Sequence, residues 1–305
     1  MTVFLRRSMN KCPSIFGALR PSLLGDIIIS TTFLNYLEKV WPRSYKVAYI
    51  DKKCQQILPF LFNHPLIDKI QVSNKSDEIT QEDVDFINKF DIKYHPFPQH
   101  PYGEDFYNTR DIIHETFLMN YEIGKGYINP IEWNKMERED KFPRLEKWFD
   151  IEKRNKTIAI WPSSGYNLTN GVARNLRSPT KEWWEKLVET LSDYKIIQLG
   201  MPNSELLNHS NIIDCRNLNL FEAIKISLSC DINLGTDSGS SWLVGAYGHP
   251  QIILFTNYNL DHFTNFDAFV PTNYKNNAIS ICGKNKDINN IEQEEVLSAI
   301  KQIQN

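Results

Sequence analysis

Most of the signatures by which a function is usually recognised are missing from this 305-residue sequence. No apolar run approaches the roughly 18 residues of a membrane-spanning helix, so stable insertion in a bilayer is not expected. The five cysteines (Cys12, Cys54, Cys215, Cys230 and Cys282) are odd in number and never form a CxxC pair. That argues against a disulfide framework or a zinc site, and for free thiols in a reducing compartment. His64, His95, His100, His114, His249 and His262 show no HExxH or similar spacing, and they read as surface or packing residues. There is no GxxxxGK(S/T) loop and no GxSxG elbow, which sets aside P-loop and serine-hydrolase chemistry. A dominant charge is absent too. At a net charge of −3, only a local basic cleft would draw the chain to nucleic acid or an anionic membrane. The basic N-terminal flank runs into a stretch broken by Asn10, Lys11 and Pro13, so it reads as a polar lead to a first strand and not as a secretion signal. A cytoplasmic location is the expectation.

The composition is that of a globular protein, 41% apolar and 23% charged, in a chain long enough for two domains. Strand-length apolar runs alternate with helix-length amphipathic stretches. "SIFGAL", "YKVAYID" and "IDKIQVS" read as strands, "DIIISTTFLNYLEKV" and "KKCQQILPFLF" as helices. From about residue 74 to 135 the pattern weakens, and the role of 76–135 stays open. The charged stretch 134–156 marks a domain junction, giving expected domains of 1–150 and 151–305. Alternation then restarts. "TIAIWPS", "YKIIQLG", "NIIDCRN", "DINLGTD" and "PQIILFT" read as strands. "SPTKEWWEKLVETLSD", "NLFEAIKISLSC", "SGSSWLVGAYG" and "NIEQEEVLSAIKQIQN" read as helices. Ser178 is the expected cap of the first of these, with Pro179 at its first position. One of Trp183 and Trp184 is expected in the core, and "EDVD" and "EQEE" on solvated faces. The alternation predicts parallel sheets and an α/β fold in two similar halves.

In such sheets ligands collect where a strand ends in a turn and feeds a helix, whose first N–H groups and positive dipole end point outward. Three such turns stand out. "LRPSLLGD" places Asp26 where a helix would start; an aspartate there caps the helix or, at a cleft mouth, accepts a proton from a substrate hydroxyl. "WPSSGYNLTNGVARNLRSP" follows a strand, offers Ser163, Ser164 and Gly165, and holds Arg174 and Arg177 before the next helix; arginines there grip phosphate or lie solvated on the surface. "NLGTDSGSSWLVGAYGHP" clusters Gly235, Ser238, Gly239, Ser240 and Ser241 between a strand and an apolar helix, where small residues let backbone amides approach an anion. Asp237 accepts from a sugar hydroxyl there or closes an Asx turn.

These three sites, in this order and in two halves, resemble the heptosyltransferase-like glycosyltransferases of family nine. Gly25–Asp26 followed by "IIISTTFLNYL" resembles the family's glycine–aspartate turn and its "VLxTxPxLxxL" run, without the proline. "VWPRSYKVAYI" and "NHPLIDKIQV" look like its second strand and its P-x-(I/V)-D-x-(I/V) stretch. "RSPTKEWWEKL" resembles its "KxWPxxxWxxL", with Arg177 at the cationic position. "GTDSGSSWLVGAYGHPQIILF" resembles "xxDTGxxHLAAALGxPxxxLF". Asp237, Ser238 and Gly239 there match the D-T-G core, and Trp242 replaces the histidine. The resemblance covers about residues 14–75 and 155–257.

It implies the GT-B architecture of two facing Rossmann-like domains, with a nucleotide sugar as co-substrate and no cofactor or metal. The reaction implied is inverting, metal-independent transfer of a sugar to an acceptor hydroxyl. Asp26 would be the catalytic base, a role compatible with capping its helix. Arg177, with Arg174, would balance the departing diphosphate. Ser163, Ser164, Gly165, Asp237, Ser238, Gly239, Ser240 and Trp242 would bind the donor. With Asp237 assigned to the donor, no second carboxylate is obvious near these turns to act as the nucleophile of a retaining mechanism. The acceptor implied is a bacterial surface glycan, glycolipid or lipopolysaccharide core. A hydroxymethylated DNA base is a second acceptor class, to be recognised by salt-sensitive duplex binding. Trp242 in place of the histidine would also suit a catalytically inert nucleotide-sugar-binding module. A nucleotide-sugar epimerase of the same architecture would convert donor without any acceptor. The oligomeric state is left open.

Overall fold

A computed structural model describes residues 15–17, 24–25, 27–28, 31, 34, 38, 42–61, 64–75, 80–90, 92–94, 156–163, 178–256, 277–284 and 287–304. The chain divides into two compact units, Met1–Tyr127 and Ile128–Asn305. The junction expected between 150 and 151 falls outside the described residues.

In the first unit, β1 (Ile15–Gly17), β2 (Lys46–Ile50), β3 (Lys69–Val72) and β4 (Ile92–Tyr94) form a sheet in the order β3-β2-β1-β4. Every pairing in it is parallel. Strand β2 is buried along its whole length, as a parallel strand covered on both faces should be. Leu24, Gly25, Ile27, Ile28, Thr31, Leu34 and Glu38 are helical. Ile27, Ile28, Thr31 and Leu34 are buried at the three- and four-residue spacing of one helix face. Leu24 and Gly25 are already helical, so the helix begins upstream of the expected start at residue 26. "KKCQQILPFLF" is a 3-10 turn over Lys52–Ile57 that continues as one α-turn, Leu58–Leu61, and not a regular α-helix throughout.

Two elements emerge from the stretch where the pattern weakened: β4 and the helix α1 (Gln81–Ile87). Helix α1 is closed at its start by a capping box of Thr80 and Asp83. The solvated "EDVD" is thereby corrected at Asp83, which is only 3% exposed. Its carboxylate accepts from Thr80 N at 2.8 Å, from Thr80 Oγ1 at 2.8 Å and from Asn74 N at 3.4 Å, which compensates its burial.

The second unit contains β5 (Lys156–Trp161), α2 (Lys181–Thr190), β6 (Tyr194–Gln198), β7 (Ile212–Asp214), α3 (Leu220–Ser229) and β8 (Ile232–Thr236). It continues through α4 (Gly239–Ala246), β9 (Gln251–Thr256), β10 (Ala278–Gly283) and α5 (Gln293–Gln304). Its sheet runs β10-β9-β8-β5-β6-β7 with every pair parallel. Counted from β5, this is the doubly wound order in which the topology reverses between the first and fourth strands. Side chains alternate between the faces. Ile158, Ile160, Ile232, Leu234, Ile252 and Leu254 pack into one cluster with α2 and α5. On the other face Asn233 and Gln251, both fully buried, lie opposite each other in register. There Trp161 Nε1 donates to Ser227 Oγ of α3 at 3.2 Å, and Ser227 Oγ donates to Asn233 Oδ1 at 2.5 Å.

The expected cap of α2 is corrected from Ser178 to Thr180, whose Oγ1 accepts from Trp183 N at 3.3 Å. Pro179 then lies before the helix. Thr180 stands three residues ahead of Trp183, where the buried face begins, which is the spacing a side-chain cap requires. Both tryptophans are core, not one. Their rings meet edge to face at 5.2 Å, and their indole N–H groups donate to Ile291 O at 2.9 Å and Pro162 O at 3.1 Å. The edge strand β10 had no counterpart in the sequence pattern, and five of its six residues are only half-buried. "EQEE" is solvated at Glu292, Glu294 and Glu295. Among the described residues no helix is long and apolar enough to cross a membrane.

Candidate functional site

The reversal point of the second sheet lies between β5 and β8, which pair with Trp161 opposite Gly235. Beyond their carboxyl ends the chain continues as Trp161–Pro162–Ser163 and Thr236–Asp237–Ser238. Gly235 leaves the space there to its neighbours. A Cβ there would lie 3.2 Å from Trp161 Cβ and 3.2 Å from Ser241 Oγ. Ser241 Oγ in turn donates to Thr236 O at 2.7 Å, pinning the first turn of α4 to the end of β8.

Asp237 continues the ladder through its N–H to Leu254 O at 3.2 Å. Its Oδ1 accepts from Trp242 Nε1 at 3.0 Å. The indole is 5% exposed, so the residue that replaces the motif's histidine is a packed side chain that holds this carboxylate in place.

Ser238 occupies the N-cap position of α4 in an extended conformation, yet its side chain makes no cap hydrogen bond. Its Oγ lies instead 2.8 Å from Ser240 Oγ. The contrast with the neighbouring helices is sharp. Thr180 caps α2, and Asn219 with Glu222 makes a capping box on α3. The start of α4 therefore presents backbone donors and a positive dipole end that its own cap residue does not engage. Beside it, half-buried Ser163 places Oγ 3.4 Å from Ser204 Oγ on the loop after β6.

The structure thus brings Ser163, Asp237, Ser238, Gly239, Ser240 and Trp242 to one sheet edge. Asp26, Ser164, Gly165, Arg174 and Arg177 lie outside the described residues. Ser204 was not anticipated; the Gly200–Met201–Pro202 turn signal directly after a strand is what could have pointed to it. Among the described residues no group of three or more His, Cys, Asp or Glu side chains is arranged to hold a metal ion. An anion backed by hydroxyls is the ligand chemistry that this edge suits.

No family model matches the sequence. A lipopolysaccharide heptosyltransferase 1 of Campylobacter coli is 25% identical over 345 aligned positions, covering 93% of this chain and 97% of its own length. Among solved structures, an ADP-heptose heptosyltransferase II of E. coli superposes with a TM-score of 0.60 at 13% identity, over 95% of this chain and 98% of the other. A family 9 glycosyltransferase from Veillonella parvula gives 0.56 at 15%, over 97% and 99%. The E. coli heptosyltransferase WaaC with ADP gives 0.53 at 10%, over 95% and 99%. These likenesses show the GT-B fold for the chain, and with the parallel sheets and the D-S-G turn they make it similar to the heptosyltransferase-like glycosyltransferases of family nine.

Proposed function

We propose that this chain is an inverting, metal-independent enzyme that moves a sugar from a nucleotide-sugar donor to a hydroxyl of a lipopolysaccharide core or related bacterial surface glycan. The observation that carries the reading is the start of α4, uncapped by Ser238 and set at the reversal point beside Asp237 and Ser163. The donor diphosphate sits against the amides that follow Ser238. The hydroxyls of Ser238 and Ser240 are its side-chain partners, and Asp237, steadied by Trp242, accepts from a donor hydroxyl.

In the reaction the acceptor oxygen attacks the anomeric carbon from the face opposite the leaving group. Its proton passes to the carboxylate of Asp26 as the bond between that carbon and the diphosphate oxygen breaks. General-base help of this kind is typically worth ~10²–10⁴ in rate. Arg177 and Arg174 balance the charge that develops on the diphosphate, the electrostatic part of the catalysis. A nucleotide-sugar donor is a cytoplasmic metabolite class, which agrees with the free thiols expected from the sequence. The name of the C. coli relative supports the acceptor class, and the ADP-bound neighbour supports an adenine nucleotide.

The test is a thermal-shift screen with ADP, UDP, GDP and CDP. A ligand at about 100 times its dissociation constant stabilises by ~2.7 kcal/mol. ADP is expected to give the largest shift, and a protein whose melting temperature none of the four raises would sink the reading.

A further inference from the structure

The face of the second sheet that meets α3 carries a row of neutral polar groups, where a parallel sheet covered on both sides ordinarily has apolar ones. Trp161 of β5, Asn233 of β8 and Gln251 of β9 share that face, and Ser227 of α3 reaches into it. At one end the row is well bonded. Trp161 Nε1 donates to Ser227 Oγ at 3.2 Å, and Ser227 Oγ donates to Asn233 Oδ1 at 2.5 Å. At the other end it is not. Asn233 Nδ2 and both amide atoms of Gln251, Nε2 and Oε1, have no hydrogen-bond partner in the protein, although both residues are 0% exposed. The two residues stand opposite each other in register on neighbouring strands, about 4.8 Å apart. Even so, their amides do not bond one another.

Buried amides are nearly always hydrogen-bonded, because taking one out of water without a new partner is costly. Three such atoms on two facing residues, two donors and one acceptor, define what fits between them. The ligand must both accept and donate. It must also be neutral, since no charged side chain belongs to the row and an ion there would be left uncompensated. Water meets both requirements, and interior waters are held by two to four polar groups in this way. We propose that Asn233 and Gln251 enclose an internal hydration site beneath α3, in which water accepts from Asn233 Nδ2 and Gln251 Nε2 and donates to Gln251 Oε1. The row is then continuous from Trp161 through Ser227 and Asn233 to Gln251, and it ties α3 to the three inner strands β5, β8 and β9. This site stands apart from the nucleotide-sugar reading. Asn233 and Gln251 lie near the amino ends of their strands, away from the carboxyl edge.

The test has two arms. A crystal structure of the unliganded full chain, at a resolution that shows ordered solvent, is expected to place water within about 3.2 Å of Asn233 Nδ2 and of Gln251 Oε1. Two amides bonded directly to each other, with no density between them, would overturn the proposal. The second arm reads the sign of a melting-temperature shift in Gln251→Met, which keeps a side chain of similar length and removes both amide atoms. With water bound, the change takes away its partners and leaves Asn233 Nδ2 under-bonded, so the melting temperature is expected to fall by about 2–6 °C. Without water, the same change relieves a buried amide of its unmet bonds, and the melting temperature holds or rises. That outcome too would overturn the proposal. The crystallographic arm uses the wild-type chain, so it decides the matter even where Gln251→Met fails to fold.

Discussion

Replacing Gly235 with alanine tests the packing at the reversal point. The added methyl would sit 3.2 Å from Ser241 Oγ and 3.2 Å from Trp161 Cβ, several tenths of an ångström inside comfortable contact. Neither neighbour is at liberty to retreat. Ser241 Oγ is bonded to Thr236 O at 2.7 Å, and Trp161 is 7% exposed with its indole bonded to Ser227. Overpacking of this kind costs about 1–3 kcal/mol. Against it stands the reduced freedom of the unfolded chain, which favours alanine by about 0.4–1 kcal/mol. The balance is a loss of roughly 1–2 kcal/mol. At about 2–4 °C per kcal/mol for a domain of this size, the melting temperature falls by roughly 2–8 °C. Thermal unfolding followed by circular dichroism measures this directly. Because relief of the clash moves Ser241 or Trp161, ADP affinity is expected to fall in the same variant. In the double variant Gly235→Ala/Ser241→Ala one of the two close contacts is gone, so its total loss should be smaller than the sum of the two singles. A Gly235→Ala protein that melts at or above the wild-type temperature would refute the reasoning.

Simpler measurements reach the remaining consequences. Asp26→Asn is expected to lower turnover by ~10²–10⁴ while ADP binding is retained; full turnover would remove the general base. Asn219→Ala should cost about 0.5–2 kcal/mol through its lost capping box, whereas Ser238→Ala, whose side chain makes no cap, should change unliganded stability by less than about 1 kcal/mol. Equal losses in the two would contradict the contrast between α3 and α4. Burial holds the His249 imidazole down to about 4, with the Asp231 carboxylate and the Cys230 backbone pulling the other way. The unfolded histidine, near 6.5, takes up a proton that the folded one refuses. Its contribution to stability is therefore complete above about pH 6.5 and drains away as the pH falls toward 4, by roughly 3 kcal/mol at most. Melting curves between pH 7 and 5 should slope less for His249→Gln, and an unchanged slope would count against this residue.

The sequence made the second unit legible because its strands are long, apolar and separated by periodic helices. The D-S-G turn, with its glycine and serines, was legible as the link between a strand and a helix, as β8 and α4 show. What escaped was decided by tertiary partners. Strand β10 is an edge strand that pairs with β9 alone in the sheet, so no continuous apolar run betrays it. Helix α1 is one capping box with two turns, and its Asp83 looked solvated because an acidic run ordinarily is; three hydrogen bonds to this carboxylate reverse that. Trp242 looked like a lesion in a binding motif. Its partner, Asp237, is five residues back on the strand end, a pairing that exists only once strand and helix are bent together. Ser204 was invisible for a similar reason, since it lies 41 residues from Ser163 in sequence.

The bare start of α4 bears on how long the molecule survives. That start lacks the side-chain cap its neighbours carry, and although Ser241 ties its first turn to β8, an anion bound at its amides would add a further anchor and make the occupied protein the harder species. Under the proposed reading that this ligand is the activated sugar, its supply would govern persistence as well as rate: scarcity would leave more molecules open to proteolysis, and plenty would shelter them.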